Sequence, residues 1–263
     1  MPIARLDSRA LIRVSGPDAR PFLHNLLTQN VETLAPGELR FAALLSPPGR
    51  LLFDLFIQGE EDGVILDVAA ERRDSLIQRL SMYKLRSDVQ ITAMAEAVYA
   101  AWDEVPDGFV TDPRLAALGG RSHSHAGAVD ATEANYNARR LSLGVPDPVA
   151  DTLADKTYPI EANLDLLNGI DFHKGCFVGQ ETTSRMKRRG TIKTRILPFT
   201  YQGQSPAAGA EVLNGDLRAG EVTRAEGGQG MAMIRLDRMD GDLSADGQPI
   251  TVTRPDWVPP FQA

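Results

Sequence analysis

The sequence predicts an α+β body followed by a small C-terminal β-barrel, and three observations carry the prediction. Strand and helix patterns mix through the first part of the chain without a repeating βα alternation. After Gly190 the texture changes to short strand candidates separated by Gly, Asp and Pro turns, the spacing of a small barrel. No glycine-rich phosphate loop follows a strand, which argues against a Rossmann or P-loop nucleotide enzyme. The boundary is expected near Arg195, giving a body over 1–195 and a barrel over 196–263.

Ala10 to Ser15 reads as a strand ending in Gly16-Pro17-Asp18, and the same residues start a helix. Phe22, Leu23, Leu26 and Leu27 recur at helical spacing and face the core. Arg40 to Leu45 and Leu51 to Gln58 read as strands joined by Ser46-Pro47-Pro48-Gly49-Arg50. Asp54 lies inside the second, where the ordinary reading is an aspartate alternating outward on a half-buried strand. Val64 to Ala69 is the next strand. Arg72 to Leu85 is a helix with Leu76, Ile77, Leu80 and Tyr83 on one face, and Asp88 to Met94 and Ala97 to Ala101 are strands. Val105 to Asp130 reads as turns, with Arg121 to His125 a solvated polar bend. Its two histidines have no neighbours that suggest a metal. Thr132 to Leu143 is a helix closed by Gly144, Pro159 to Gly169 a short helix closed by glycine, and Gly179 to Arg189 a helix stopped by Gly190. The barrel candidates are Ile192–Tyr201, Ala210–Leu213, Leu217–Arg224, Gly230–Leu236 and Ile250–Arg254.

The 263 residues are 43% apolar and 24% charged with net charge −7, ordinary for a globular protein and unfavourable to nucleic-acid binding over the whole surface. The single cysteine excludes an intrachain disulfide and a multi-cysteine metal site built by this chain alone. The opening residues lack a secretory pattern and no apolar run is long enough for a membrane span, so cytoplasm is the expected compartment.

That cysteine lies in Lys174-Gly175-Cys176-Phe177-Val178-Gly179-Gln180-Glu181, ahead of the helix. A nearby cation or helix N-terminus raises the thiolate fraction, whereas a lone cysteine can also be a small buried hydrophobe. Gly175 permits close approach or φ > 0. Lys174 is read either beside the sulfur, gripping an anion, or as a solvated charge. Gln180 and Glu181 either cap the helix start or point into the site. Arg185, Lys187, Arg188, Arg189, Lys193 and Arg195 place six cations in eleven residues. They form either an exposed helical face or a patch for a polyglutamate tail, RNA or an acidic partner.

The octapeptide Lys174–Glu181 resembles the signature of the YgfZ-type folate-binding proteins, bacterial relatives of a mitochondrial iron–sulfur assembly factor. Phe22–Val31, Ser46–Arg50 and Pro159–Asp165 resemble family segments in the same order, so the likeness covers essentially the whole chain. The resemblance implies the fold of the aminomethyltransferase (T-protein) of the glycine cleavage system, with a folate-cradling body and a C-terminal barrel. It also implies tetrahydrofolate or a one-carbon derivative as ligand, iron–sulfur client or assembly proteins as partners, and Lys174 and Cys176 as the functional pair. Tyr136 matches a position offering an aromatic ring to the folate; Asp54 and Arg9 are the further cavity residues, with Gly175, Gln180 and Glu181 from the signature. Where transferases carry two acids, this chain has Phe53 and Ser142, which weakens the one-carbon transferase alternative. The expected function is a folate-binding accessory factor for iron–sulfur proteins, with transferase and RNA- or protein-docking readings as alternatives.

Overall fold

In the computed structural model, residues 1–148, 151, 156–190 and 192–261 are described. The chain opens on β1 (Ile3–Leu6), unforeseen in the sequence, then β2 (Arg9–Ser15), helix α1 (Ala19–Leu26), β3 (Leu39–Leu45), β4 (Leu51–Glu60), β5 (Gly63–Ala69), helix α2 (Arg73–Lys84) and β6 (Gln90–Ala93). Five of these strands form an antiparallel sheet in the order β3-β4-β5-β2-β6. A second sheet joins β1 to β7 (Val98–Ala101), β8 (Val110–Thr111) and β9 (Gly120–Ser122) in the order β1-β7-β9-β8. Helix α3 (Glu133–Ser142) starts on a capping box between Thr132 and Asn135.

The two faces of the large sheet are both covered. Phe53, Leu55 and Ile57 of β4 and Leu66 and Val68 of β5 pack against Phe22 and Leu23 of α1 and Leu76 and Leu80 of α2. Each fully buried leucine here contributes about 2 kcal/mol. The alternate residues Asp54, Phe56, Asp67 and Leu11 turn to the opposite face, where the second sheet and α3 cover them. Period two therefore sets Asp54 opposite the helix-facing residues as expected, yet that face holds no solvent, and Asp54 is 1% exposed.

Pro159 to Gly169 is not a helix but a run of turns. Asn163 and Asn168 take φ of 62° and 56°, which interrupt any helical ladder. Ile160, Ala162 and Leu164 nonetheless face the core. Helix α4 (Gln180–Arg189) is bracketed by left-handed glycines, Gly179 and Gly190. From Thr194 onward β10 (Thr194–Tyr201), β11 (Glu211–Asn214), β12 (Leu217–Glu226), β13 (Gln229–Arg235), β14 (Leu243–Ala245) and β15 (Gln248–Val252) close a six-stranded barrel in the order β10-β13-β12-β11-β14-β15. Closure removes the sheet edges that would otherwise invite pairing with other chains.

The segment before α4 is tied down at both ends. The Asp171 N–H donates to the Thr28 carbonyl at 2.9 Å, and the Lys174 ammonium reaches the end of α1. At the other end Gly179 has φ +79°, and a Cβ there would meet the Ser46 carbonyl oxygen at 2.7 Å and Gly49 Cα at 2.8 Å. Gly175 has no positive φ, and its nearest neighbour to an added Cβ is His24 Nε2 at 4.0 Å. The glycine that the local backbone requires is thus Gly179, not Gly175. Gly179→Ala should cost about 2 kcal/mol or more from the left-handed φ and the backbone clash, measured by urea unfolding. Gly175→Ala should stay within about 0.5 kcal/mol; equal costs at the two positions would contradict this assignment.

Candidate functional site

Cys176 is exposed and stands three residues ahead of the α4 cap. Lys174 is neither solvated nor gripping an anion: it is 8% exposed, and its Nζ donates to the carbonyls of His24, Leu27 (2.7 Å) and Gln29 (3.2 Å). The first two are carbonyls at the C-terminal end of α1, where intrahelical donors run out, and the third lies two residues beyond the Leu27 cap. Burial lowers the Lys174 pKa to about 8, with Asp171 and then Glu32 opposing the shift. The ammonium also lies 5.3 Å from the centre of the Phe177 ring. Gln180 Nε2 donates to the Gly175 carbonyl at 3.4 Å, bracing the loop, whereas Glu181 points to solvent in the first turn of α4.

A second constellation lies between the sheets. Asp67 on β5 receives Arg9 Nε at 2.6 Å on one oxygen and Arg121 Nη2 at 2.5 Å on the other. Arg9 Nη1 is 3.5 Å from Asp54 Oδ2. Arg114 forms a two-pronged pair with Asp112 at 2.8 and 3.0 Å and donates to Tyr136 Oη at 2.9 Å. The guanidinium carbons of Arg121, Arg114 and Arg9 stand 4.0, 4.8 and 5.6 Å from the centre of the Phe56 ring. Arg140 on α3 pairs with Asp151, and its Nη1 also donates to the Val145 carbonyl at 2.8 Å.

The carboxylates of this cluster are pushed in opposite directions. Burial raises the Asp67 pKa, but Arg121 and Arg9 outweigh it and hold the group well below its ordinary value. At Asp54 burial wins, helped by Asp147, and the pKa rises to about 6 despite Arg9 and Arg114. The longer Arg9 contact explains the difference, because that guanidinium is committed to Asp67. Asp54 Oδ1 has no hydrogen-bond partner among the described residues, nor has either ring nitrogen of His123. His123 is buried, with Nε2 3.6 Å from Asp67 Oδ2.

Tyr136 and Arg9 line one space together with Arg114, Arg121 and Arg140, and Asp54 is ion-paired at its edge; Cys176 is not among the lining residues. The space measures about 20 Å³, room for one water. Tyr136 is core, packed beside Trp102 at 6.1 Å between ring centres, with its hydroxyl taken by Arg114. A pteroyl group needs a pocket of several hundred Å³, so the space between Tyr136 and Arg9, as the described residues leave it, is smaller than that group.

The sequence reading missed Asp67, Asp112, Arg114, Arg121, Arg140 and His123. Asp67 carries the same signal as Asp54, a carboxylate inside an apolar strand. The bend over Arg121 to His125 is not solvated at its start, since Arg121, Ser122 and His123 are buried. The basic run also divides. Arg195 is buried and pairs with Asp165 at 2.9 Å, and Lys187 shares that carboxylate at 3.3 Å, whereas Arg185, Arg188, Arg189 and Lys193 are exposed.

The family model described as CAF17, C-terminal beta-barrel domain, matches residues 193–260. The mitochondrial iron–sulfur cluster assembly factor IBA57 of Mus musculus is 30% identical over 97% of this chain and 85% of its own length. The chain belongs to the IBA57 family. The Homo sapiens IBA57 is 29% identical with the same coverage, and the Neurospora crassa IBA57 homologue is 33% identical over 80% of this chain. The match spans 56% of the Neurospora protein, a little over half its length. Among solved structures, the glycine cleavage system aminomethyltransferase T from Bartonella henselae superposes with a TM-score of 0.77 at 17% identity, covering 97% of this chain and 86% of that one. The aminomethyltransferase-like fold with a terminal barrel is therefore present. These IBA57 relatives are mitochondrial by name, which overturns the cytoplasmic expectation; no helix among the described residues is long and apolar enough to cross a membrane.

The Asp54 shift sets a pH dependence. Its pKa is about 6 folded and near 3.8 unfolded, so the folded state binds more protons between those values. The stability it contributes is complete below about 3.8 and is lost as pH rises through 6, a swing of roughly 3 kcal/mol. Asp54→Asn should remove that fall, so the variant's stability relative to wild type should rise between pH 4 and 7 in urea melts at stepped pH. A relative stability that drops over this range would show that Asp54 is held ionised instead.

Proposed function

We propose that this chain serves the assembly of iron–sulfur proteins by presenting Cys176 as a transient sulfur ligand to a cluster carried by a partner. One observation carries the reading: in a chain of the IBA57 family, the only thiol is exposed on a loop clamped to α1 and to the 46–49 loop. An exposed sulfur on a fixed backbone can meet a cluster without the protein rearranging. Iron binding through Sγ releases the thiol proton. One cysteine fills one of the four ligand positions a cluster usually takes, so the remaining ligands come from the partner. Lys174 acts as a positioning residue, holding the loop through α1 rather than touching the sulfur's ligand. The octapeptide Lys174–Glu181 supports placing the chain with the YgfZ-type branch.

Cys176→Ser should lower the activity of iron–sulfur enzymes in cells that depend on this protein. Its melting temperature should stay within about 2 °C of wild type, because an exposed side chain carries little packing energy. Full enzyme activity in cells carrying only the serine variant would remove the proposal.

No step of this function is routed through tetrahydrofolate, because guanidinium groups line the space between the sheets and leave it small among the described residues. One-carbon transfer gains no support from the site either, as Asp54 is sealed and Phe53 is part of the helix-facing core. Calorimetric titration of wild type and Tyr136→Phe with tetrahydrofolate should give no saturable heat in either. Saturable binding to wild type that the phenylalanine variant loses would restore folate as the ligand of this space.

A further inference from the structure

A cleft of about 430 Å³ opens where the body meets the barrel. Arg50, Lys156 and Glu161 stand on its body side; Arg218 of β12, Arg235 at the end of β13 and Arg238 in the turn that follows stand on its barrel side. The body side is held in place. The Thr157 carbonyl accepts the Leu51 N–H at 2.9 Å, and the Glu161 carbonyl accepts the Ile196 N–H of β10 at 2.9 Å. Five cations thus line a recess that holds two carboxylates, Glu161 and Glu221, in a chain of net charge −7. A recess lined mainly by one sign of charge concentrates its field on whatever enters.

The five cations are not equally engaged. Arg218 reaches Glu211 at 3.2 Å and Glu221 at 2.8 Å, and Arg235 reaches Asp237 at 2.8 Å; these pairs are solvated and hold little energy. Arg50, Lys156 and Arg238 make no ion-pair contact with a carboxylate among the described residues. Two of them are nonetheless fixed. The Arg50 guanidinium carbon stands 3.8 Å from the centre of the Tyr158 ring, and its Nη1 donates to the Lys156 carbonyl. Arg238 Nη1 donates to the Arg218 carbonyl at 2.6 Å. A ring face or a carbonyl orients a guanidinium without neutralising it, so the remaining donors are preorganised for an anion. Glu161 opposes an anion only weakly. Its Oε2 accepts the Tyr158 N–H at 2.9 Å, and burial raises its pKa against that bond and Arg50.

We infer that this cleft binds a small molecule with acidic groups at its two ends, one met by Arg50 and Lys156 and the other by Arg238 with Arg218 and Arg235. The cations stand on both sides of the cleft, so two separated acidic groups use them better than one. The volume suits a metabolite-sized ligand, and Met233 gives its carbon frame an apolar contact. Guanidinium groups take carboxylate and phosphate oxygens in the same two-pronged way, so the shared chemistry is a small dianion or trianion. Because Arg50 directly follows the 46–49 loop that meets Gly179, an occupant ties that loop to the barrel.

The test is calorimetric titration of the full chain with citrate and, separately, with fructose 1,6-bisphosphate. At least one should bind saturably, and severalfold more weakly as salt is raised to physiological strength. Binding of citrate alone assigns carboxylates, and binding of the bisphosphate alone assigns phosphates. Acetate and fructose 6-phosphate, which keep one acidic group, should bind at least about tenfold more weakly than their counterparts. Lys156→Gln with Arg238→Gln should weaken binding about tenfold or more. Lys156→Gln alone, at an exposed side chain, should weaken it severalfold with the melting temperature unchanged within about 2 °C. Arg185→Gln with Arg188→Gln, outside the cleft, should bind as wild type does, and so should Cys176→Ser. No saturable heat with either probe, equal affinity for the one-acid analogues, or equal losses in the two double variants would overturn the inference.

Discussion

The body is organised around Asp67, one carboxylate held between two guanidinium groups on the inner face of a sheet. Burying either charge alone would cost several kcal/mol, and removing one partner from such a pair costs about as much as it leaves uncompensated. Arg9 comes from the neighbouring strand β2, whereas Arg121 comes from β9 in the other sheet. The pairing thus fixes how the two sheets face each other. Phe56 gives the three guanidinium groups an aromatic surface that offsets part of their lost hydration. Asp112 and Tyr136 absorb the donors of Arg114, and α3 is thereby tied to the same centre.

This arrangement separates two things that a cofactor-binding reading would join. In an open cavity, charged side chains would face a ligand; here they face one another and fill the space. The thiol lies elsewhere, on a loop whose fixed points are α1, the 46–49 loop and the start of α4. The aminomethyltransferase-like fold supplies the scaffold, and the sites that remain accessible are on its surface.

Much of this was legible in the sequence because it depends on local order. The alternation in β4 and β5, the spacing of Phe22, Leu23, Leu26 and Leu27, and the glycines around α4 report on neighbours a few residues away. The turns over Pro159 to Gly169 were misread because Asn163 and Asn168 adopt left-handed backbone that asparagine tolerates but does not announce. The short β14, of three residues, is too brief to show a period. The ion pairs were hidden for a different reason. Asp67 and Arg121 are 54 residues apart, and nothing in a polar bend such as Arg121 to His125 tells that a sheet will close over it. Lys174 shows the same limit, since its carbonyl partners lie about 150 positions earlier in the chain.

Those three carbonyl bonds make α1 and the thiol loop a single mechanical piece. An ammonium that bridges a helix end and a loop transmits any tilt of the helix directly to the loop, with little slack between them. The large sheet on which α1 rests therefore sets the position of a sulfur it never touches. Loss of the lysine charge would act on Cys176 as a loosened hinge acts on a door: the reactive atom would be unchanged in chemistry but no longer held in one place.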